Sequence, residues 1–171
     1  MTKLSLYLAT LLLGSNFSAT TTPKAPPHAI SASVRMTAAE QQYLDLSNYE
    51  RERRGMGTLS PNPLLVYVAR QHSREMWEKD YFDHISPTQG FRTPMNRYLS
   101  TLGRTPTWAY LGENLFYCSV VDVERGHRSL MQSPSHRDNI LNDRFAQMGV
   151  GIFVSPEGRF WVTELFLAQV D

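Results

Sequence analysis

Apolar positions along the chain follow two rhythms, a helical one and an alternating one. The helical rhythm starts at Thr37. Thr37 and Glu40 have capping-box spacing, and Tyr43, Leu44, Leu46 and Tyr49 offer a buried stripe for a helix reaching about Arg54. Gly55 and Gly57 end it. Arg51, Arg53 and Arg54 fall in its last turns, where cations suit the dipole; a phosphate-binding patch is the functional alternative. Asn62-Pro63 predicts a second helix to about Asp80, with Leu65, Ala69, His72 and Met76 on one face. Residues 93–102 predict a third, opened by Thr93-Pro94 and stopped by Gly103. Residues 122–132 predict a fourth, and Ser133-Pro134 starts a further helical turn toward Leu141.

The alternating rhythm predicts strands over 114–120, 148–154 and 160–167. Ser155-Pro156-Glu157-Gly158 supplies the turn of an antiparallel hairpin between the last two. Phe160, Val162, Glu164 and Phe166 point one way from the last strand; Trp161, Leu165 and Leu167 point the other. Two apolar faces require cover on both sides. The fold class is therefore α+β, a three-layer α-β-α sandwich around a small antiparallel sheet.

The first residues follow neither rhythm. Lys3, the Leu-rich run to Leu13 and Gly14 have the form of a secretory signal peptide, with Ala19 as its last residue; Phe17 is bulky for a cleavage motif. The alternative is an apolar N-terminal helix that stays attached. No Cys follows the run, which argues against a lipoprotein anchor. The run is shorter than the ~20 residues that span a bilayer. Residues 20–36 are rich in Pro, Thr and Ser and form a leader or linker, so the folded domain is expected over 37–171.

Composition narrows the function classes. Seventeen basic and 16 acidic residues give a net charge of +1, which leaves no global field for nucleic acid. One cysteine, Cys118, excludes an internal disulfide framework and a Cys-rich zinc module. It reads as a small buried hydrophobe; pairing with His136 as a nucleophile is the alternative. G-x-S-x-G, H-E-x-x-H, P-loop and G-x-G-x-x-G motifs are all absent.

Three polar residues sit where elements begin or end: His84 beyond the second helix, Glu113 before the first strand, and His136 after Ser133-Pro134. Two imidazoles and a carboxylate can hold a divalent ion with open positions, or each can cap an element end. His72, on an apolar helix face, reads as a hydrogen-bonded core residue, with a ligand role as the alternative, and His127 as solvated at an exposed helix end.

Six ordered segments carry a specific resemblance. They are Ala69-Arg-Gln-His72-Ser-Arg-Glu-Met76, Phe82-Asp-His84-Ile-Ser-Pro87, Gly112-Glu-Asn-Leu115, Ser133-Pro-Ser-His-Arg-Asp-Asn-Ile-Leu141, Phe145-Ala-Gln-Met-Gly-Val-Gly151 and Gly158-Arg-Phe-Trp-Val-Thr163. In this order they resemble the CAP superfamily of cysteine-rich secretory proteins, antigen 5 and pathogenesis-related proteins, in its bacterial SCP-like branch. The resemblance implies the same α-β-α sandwich. It implies a central cleft in which His84, Glu113 and His136 match the family's first His, first Glu and second His. It also implies zinc or another divalent cation as a possible cofactor on the His pair. The second Glu of many members falls near Ser133 and is missing here. Glu164 stands where bacterial relatives usually carry Gln; a buried carboxylate there must be paired or protonated, and either supplies the absent acid or is satisfied by Arg or backbone donors.

Two functions follow. One is a secreted, extracellular or cell-envelope binding module of a bacterium, with a lipid, cell-wall or extracellular protein ligand. The other is a hydrolase in which Glu113 acts as general base on a water held by His84 and His136, directly or through a metal. Catalytic roles for these three residues hold only on the second reading, and no oxyanion hole or activated nucleophile is evident to support it. Trp108 and Tyr110 either line a groove beside the cleft or pack the core.

Overall fold

The structure, a computed structural model, describes residues 34–170. The expected signal segment 1–19 and the leader up to residue 33 lie outside the described residues. The elements are α1 (Ala38–Glu52), β1 (Ser60–Pro61), α2 (Pro63–Glu78), α3 (Pro94–Leu102), β2 (Trp108–Cys118), α4 (Val123–Gln132), α5 (Pro134–Ile140), β3 (Gln147–Val154) and β4 (Phe160–Val170). All five helices lie where the helical rhythm places them.

Local chemistry sets their ends. Thr37 caps α1 through a complete capping box with Glu40, whose carboxylate accepts from Thr37 N at 2.7 Å. Asn62 Oδ1 accepts from Leu64 N and Leu65 N, and Pro63 starts α2. Thr93 and Asn96 form the corresponding box on α3, which stops at Gly103 with φ 73°.

The sheet has the order β1-β3-β4-β2. β2–β4 and β3–β4 are antiparallel, as expected, and the short β1 adds a parallel edge beside β3. β2 begins at Trp108, six residues earlier than the sequence suggests, because its start pairs with the chain's end, Trp108 opposite Val170. One sheet face packs Tyr43, Leu44, Leu130, Ile140 and Phe145 against Phe160, Val162 and Phe166. The other packs Leu65, Val68, Ala69 and Tyr98 against Leu165 and Leu167. Helices on both faces complete the α-β-α sandwich. Gly151 permits the close seating of β3 on α2: a Cβ there would stand 2.0 Å from Arg70 N.

Three side chains depart from expectation. Tyr49 is exposed, and Arg51 takes its place in the buried face of α1. Arg51 donates to the carbonyls of Gly57 (2.7 Å), Ile140 (2.9 Å), Asn142 (2.8 Å) and Phe145 (3.2 Å). It is a structural tie between α1 and the segment after α5, so the three arginines do not form a surface patch. His127 is buried at 4 % exposure. Its neighbour Gly126 has no side chain, and a Cβ there would meet Tyr43 Oη at 1.9 Å. α4 therefore lies close against α1, and His127 is carried inside. Burial pushes its pKa down, against the raising effect of Glu50.

Candidate functional site

The site is built around Glu113. Glu113 lies on β2, the sheet edge away from β1, directly opposite Leu165. Opposed residues share a face, so its side chain points to the α2 side. There it is 8 % exposed and meets three cationic or imidazole side chains. Arg97 Nη2 donates to Oε2 at 2.6 Å, and His84 Nδ1 lies 2.8 Å from Oε1. His72 Nδ1 is 3.3 Å from Oε2, an ion-pair distance without hydrogen-bond alignment. Burial alone would raise the Glu113 pKa. The contacts from His72 and His84 and the charge of Arg97 outweigh it and hold the carboxyl at about 2.

Arg97 comes from the first half of α3 and is 4 % exposed. Its Nη1 donates to the carbonyls of His84 (3.1 Å), Phe91 (3.3 Å) and Arg92 (3.1 Å). One guanidinium thus fixes Glu113 and the loop carrying His84. Ser86 N donates to Arg92 O at 2.8 Å, closing the same loop. Glu75 anchors its near side, accepting from Tyr81 Oη (2.7 Å), Lys79 Nζ (2.9 Å) and the Thr88 hydroxyl. Burial opposes ionisation of Glu75, but these donors bring its pKa to about 2.

His84 projects from that loop half-exposed. Its hydrogen bond to Glu113 raises its pKa against the opposing effect of burial. His136 sits in the first turn of α5 and is partly buried. Burial lowers its pKa, and so does the charge of His84, which places the two imidazoles within electrostatic reach of each other. Asparagines join α5 to β2: Asn114 Nδ2 donates to His136 O at 3.0 Å, and Asn139 Nδ2 donates to Glu113 O at 3.2 Å and to Asn114 Oδ1 at 2.9 Å. No side-chain contact joins Glu113 to His136 among the described hydrogen bonds and ion pairs. Among the described residues, no three His, Cys, Asp or Glu side chains are grouped so as to hold a metal ion.

Glu164 occupies the opposite face of the sheet from Glu113, since it neighbours Leu165 along β4. It is fully buried. Neither Arg nor a backbone donor satisfies it: Oε2 accepts only from Asn114 Nδ2, at 3.0 Å, and Oε1 has no partner. Burial pushes its pKa up to about 7, against the lowering effect of Asn114. It therefore does not replace the missing second Glu beside Glu113. Cys118 is a buried free thiol, as its alternation suggests. Trp108 and Tyr110 are exposed at 47 % and 38 %, with Tyr110 stacked on Phe145 at 5.1 Å. At the other end of β2, Phe82 and Tyr117 lie 6.1 Å apart, both exposed, and Phe82 is two residues from His84.

Sequence reasoning missed Arg97, Asn114 and Asn139 as parts of this arrangement. The two asparagines lie inside the quoted motifs, in Gly112-Glu-Asn-Leu115 and Ser133–Leu141, and that was their available signal. Arg97 lies in none of the six segments.

The sandwich agrees with direct comparison. The model of the cysteine-rich secretory protein family, CAP, matches residues 44–166. The chain belongs to the CAP family, in its bacterial SCP-like branch. It is 34 % identical over 139 residues to the uncharacterized protein YkwD of Bacillus subtilis, covering 81 % of this chain and 51 % of YkwD. It is similar to an extracellular protein containing a SCP domain from Bacillus anthracis, with 30 % identity and a TM-score of 0.66, covering 77 % of this chain and 40 % of that one. The chain thus spans about half the length of YkwD or less of its other relative. A more distant structure, NaASP2 with Zn2+, shares the fold at 13 % identity and a TM-score of 0.56, covering 82 % of this chain and 87 % of that one. Family membership and these bacterial relatives support a secreted or cell-envelope location. No helix among the described residues is long and apolar enough to cross a membrane.

Proposed function

We propose that the protein is a secreted binding module whose cleft at the β2 edge presents His84 and His136 to a divalent cation or a small or lipidic ligand, with Glu113 orienting His84. The observation that carries this reading is the saturation of Glu113. One oxygen is held by His84, the other by Arg97 with His72 beside it. A general base needs a free oxygen and a pKa near the working pH. Glu113 has neither, so the hydrolase reading loses its base.

The same contacts suit the role of an orienting carboxylate. With Nδ1 of His84 turned to Glu113, Nε2 is the ring nitrogen left for a ligand, the arrangement in which a carboxylate fixes a metal-binding imidazole. His84 and His136 would supply two nitrogens, with solvent completing the shell, and imidazole suits zinc, copper and nickel. The zinc of NaASP2, on the same fold, makes zinc the natural test ion. Exposed Phe82, Ile85 and Tyr117 offer an apolar rim beside His84 for a lipidic ligand.

Signal peptide 1–19, linker 20–36 and domain 37–171 remain our reading of the chain's organisation; intact mass of protein from culture fluid checks it, and a mass including Met1 would refute it. Native mass spectrometry with elemental analysis tests the function. One zinc-class ion or one lipid-sized adduct per chain supports it. A chain that stays free of adducts after zinc and lipid are added overturns it.

A further inference from the structure

A buried carboxyl with a single hydrogen-bond partner costs a fold stability, and Glu164 is such a group. Its partner shows what it does. Asn114 stands directly opposite Glu164 in the β2–β4 register, so both side chains lie on the α1 face of the sheet. Asn114 is itself fully buried. Its Nδ2 donates to Glu164 Oε2 and to His136 O, each at 3.0 Å, and its Oδ1 accepts from Asn139 Nδ2 at 2.9 Å. Both N–H donors and the carbonyl are engaged, so the contacts fix which way the amide points. Turned over, it would set Oδ1 against His136 O and Nδ2 against Asn139 Nδ2. Asn139 cannot turn with it, because its Nδ2 also donates to the Glu113 carbonyl at 3.2 Å.

The other end of this chain of contacts is α5, the helix that carries His136. Its N-cap, Ser133, makes no side-chain hydrogen bond to the first turn, so the start of the helix is not held locally. Arg51 ties the carbonyls at its far end, Ile140 and Asn142. The first turn is instead held from β2, by Asn114 on the carbonyl of His136 itself. Without an acceptor at position 164, one Asn114 N–H would be buried unpaired, which is costly. Asn114 must then move to find a partner, and its hold on His136 moves with it.

We propose that Glu164 is a positioning residue for the ligand site: its carboxyl oxygen orients the Asn114 amide, and Asn114 seats the peptide of His136 and with it the imidazole presented at the β2 edge. The proposal rests on the reading of His84 and His136 as the ligand-binding side chains. Glu113 and Asn114, consecutive on β2, then serve the two histidines from opposite faces of the sheet. Glu113 orients His84 directly, and Asn114 carries the influence of Glu164 to His136. The link needs only an acceptor at 164. A carboxylate, a carboxylic acid and the amide oxygen of Gln all supply one, whereas Met does not.

The test compares the secreted wild type with Glu164→Met and Glu164→Gln. NMR of the metal-free proteins at pH 5, where Glu164 is already neutral, reads the Asn114 side-chain amide and the His136 and His84 rings without a change of charge. Glu164→Met is expected to move the Asn114 and His136 signals and leave His84 in place; Glu164→Gln is expected to return His136 to its wild-type position. Zinc titration by calorimetry should show binding about tenfold weaker in Glu164→Met, the low end of the ~10–100-fold effect of groups that orient ligands, with most of the loss recovered in Glu164→Gln. A wild type that takes no zinc fails the reading of the site, while the metal-free spectra still judge the link from Glu164 to His136. Unmoved Asn114 and His136 signals in folded Glu164→Met overturn the proposal. Equal movement of His84 and His136, unchanged zinc affinity in Glu164→Met, or a Gln variant no nearer to wild type than the Met variant does the same. Should Glu164→Met not fold, Glu164→Gln decides alone. Its Asn114 amide signal must move, because the acceptor changes from a carboxyl to an amide oxygen, and an unmoved signal overturns the proposal.

Discussion

Replacing Glu113 by Gln keeps the side chain's shape and removes its charge. Arg97 then remains buried beside a neutral amide, with His84 and His72 facing the same atom set. The magnitude follows from proton linkage. The carboxyl falls from an ordinary 4.5 to about 2 in the folded protein. Each tenfold change in proton affinity is about 1.4 kcal/mol, so the charged form contributes about 3 kcal/mol. That agrees with the ~3–5 kcal/mol lost when one partner leaves a buried ion pair. The sign is fixed by the depressed pKa. The contribution is complete above about pH 5 and is lost as pH falls through about 2. Urea unfolding at pH 7 should show Glu113→Gln less stable by about 3 kcal/mol, with the deficit cut to about half by pH 3. The His84 titration, followed by NMR, should move down toward the ordinary histidine range, because Glu113 is the largest cause of its elevation. An equal deficit at pH 7 and pH 3, or an unmoved His84, would refute the reasoning.

Glu164→Gln should act with the opposite sign. Burial raises Glu164 to about 7, so the wild type loses stability as pH rises from about 4.5 through about 7, and the variant should be the more stable at pH 8, by up to about 3 kcal/mol, and equal at pH 4. Thermal or urea unfolding at the two pH values reads this directly; a stability difference that is the same at pH 4 and pH 8 would contradict it. Arg51→Met strands four carbonyl acceptors and should cost about 3–5 kcal/mol by urea unfolding. A loss under about 1 kcal/mol would show that water replaces the guanidinium.

Most of the scaffold was legible because its signals are local. Thr37 with Glu40, Asn62-Pro63 and Thr93-Pro94 each satisfy backbone donors within one turn, so the helix starts are written in a few neighbouring residues. The double-sided apolar pattern of β4 required helices on both faces, and the structure has them. What escaped is set by distant partners. β1 exists because Ser60 and Pro61 pair with Gln147 and Met148, and the early start of β2 depends on the far end of β4. Buried Arg51 and His127 read as surface residues because charge and polarity usually mean solvent; only carbonyls from another part of the chain, or a helix brought close by Gly126, put them inside. At the site, motif and position singled out His84, Glu113 and His136, but Arg97 looks like any polar residue on a short amphipathic helix. Its role appears only when α3 packs against the loop and β2.

The central claim, that His84 and His136 are the ligand-binding side chains while Glu113 orients, is tested most directly by calorimetric titration of zinc into the wild type, Glu113→Gln and the double variant His84→Ala/His136→Ala. The account predicts one ion per chain in the wild type, weakened by about 10-fold or more in Glu113→Gln as for other orienting carboxylates, and lost in the double variant. Zinc affinity unchanged in the double variant would contradict it.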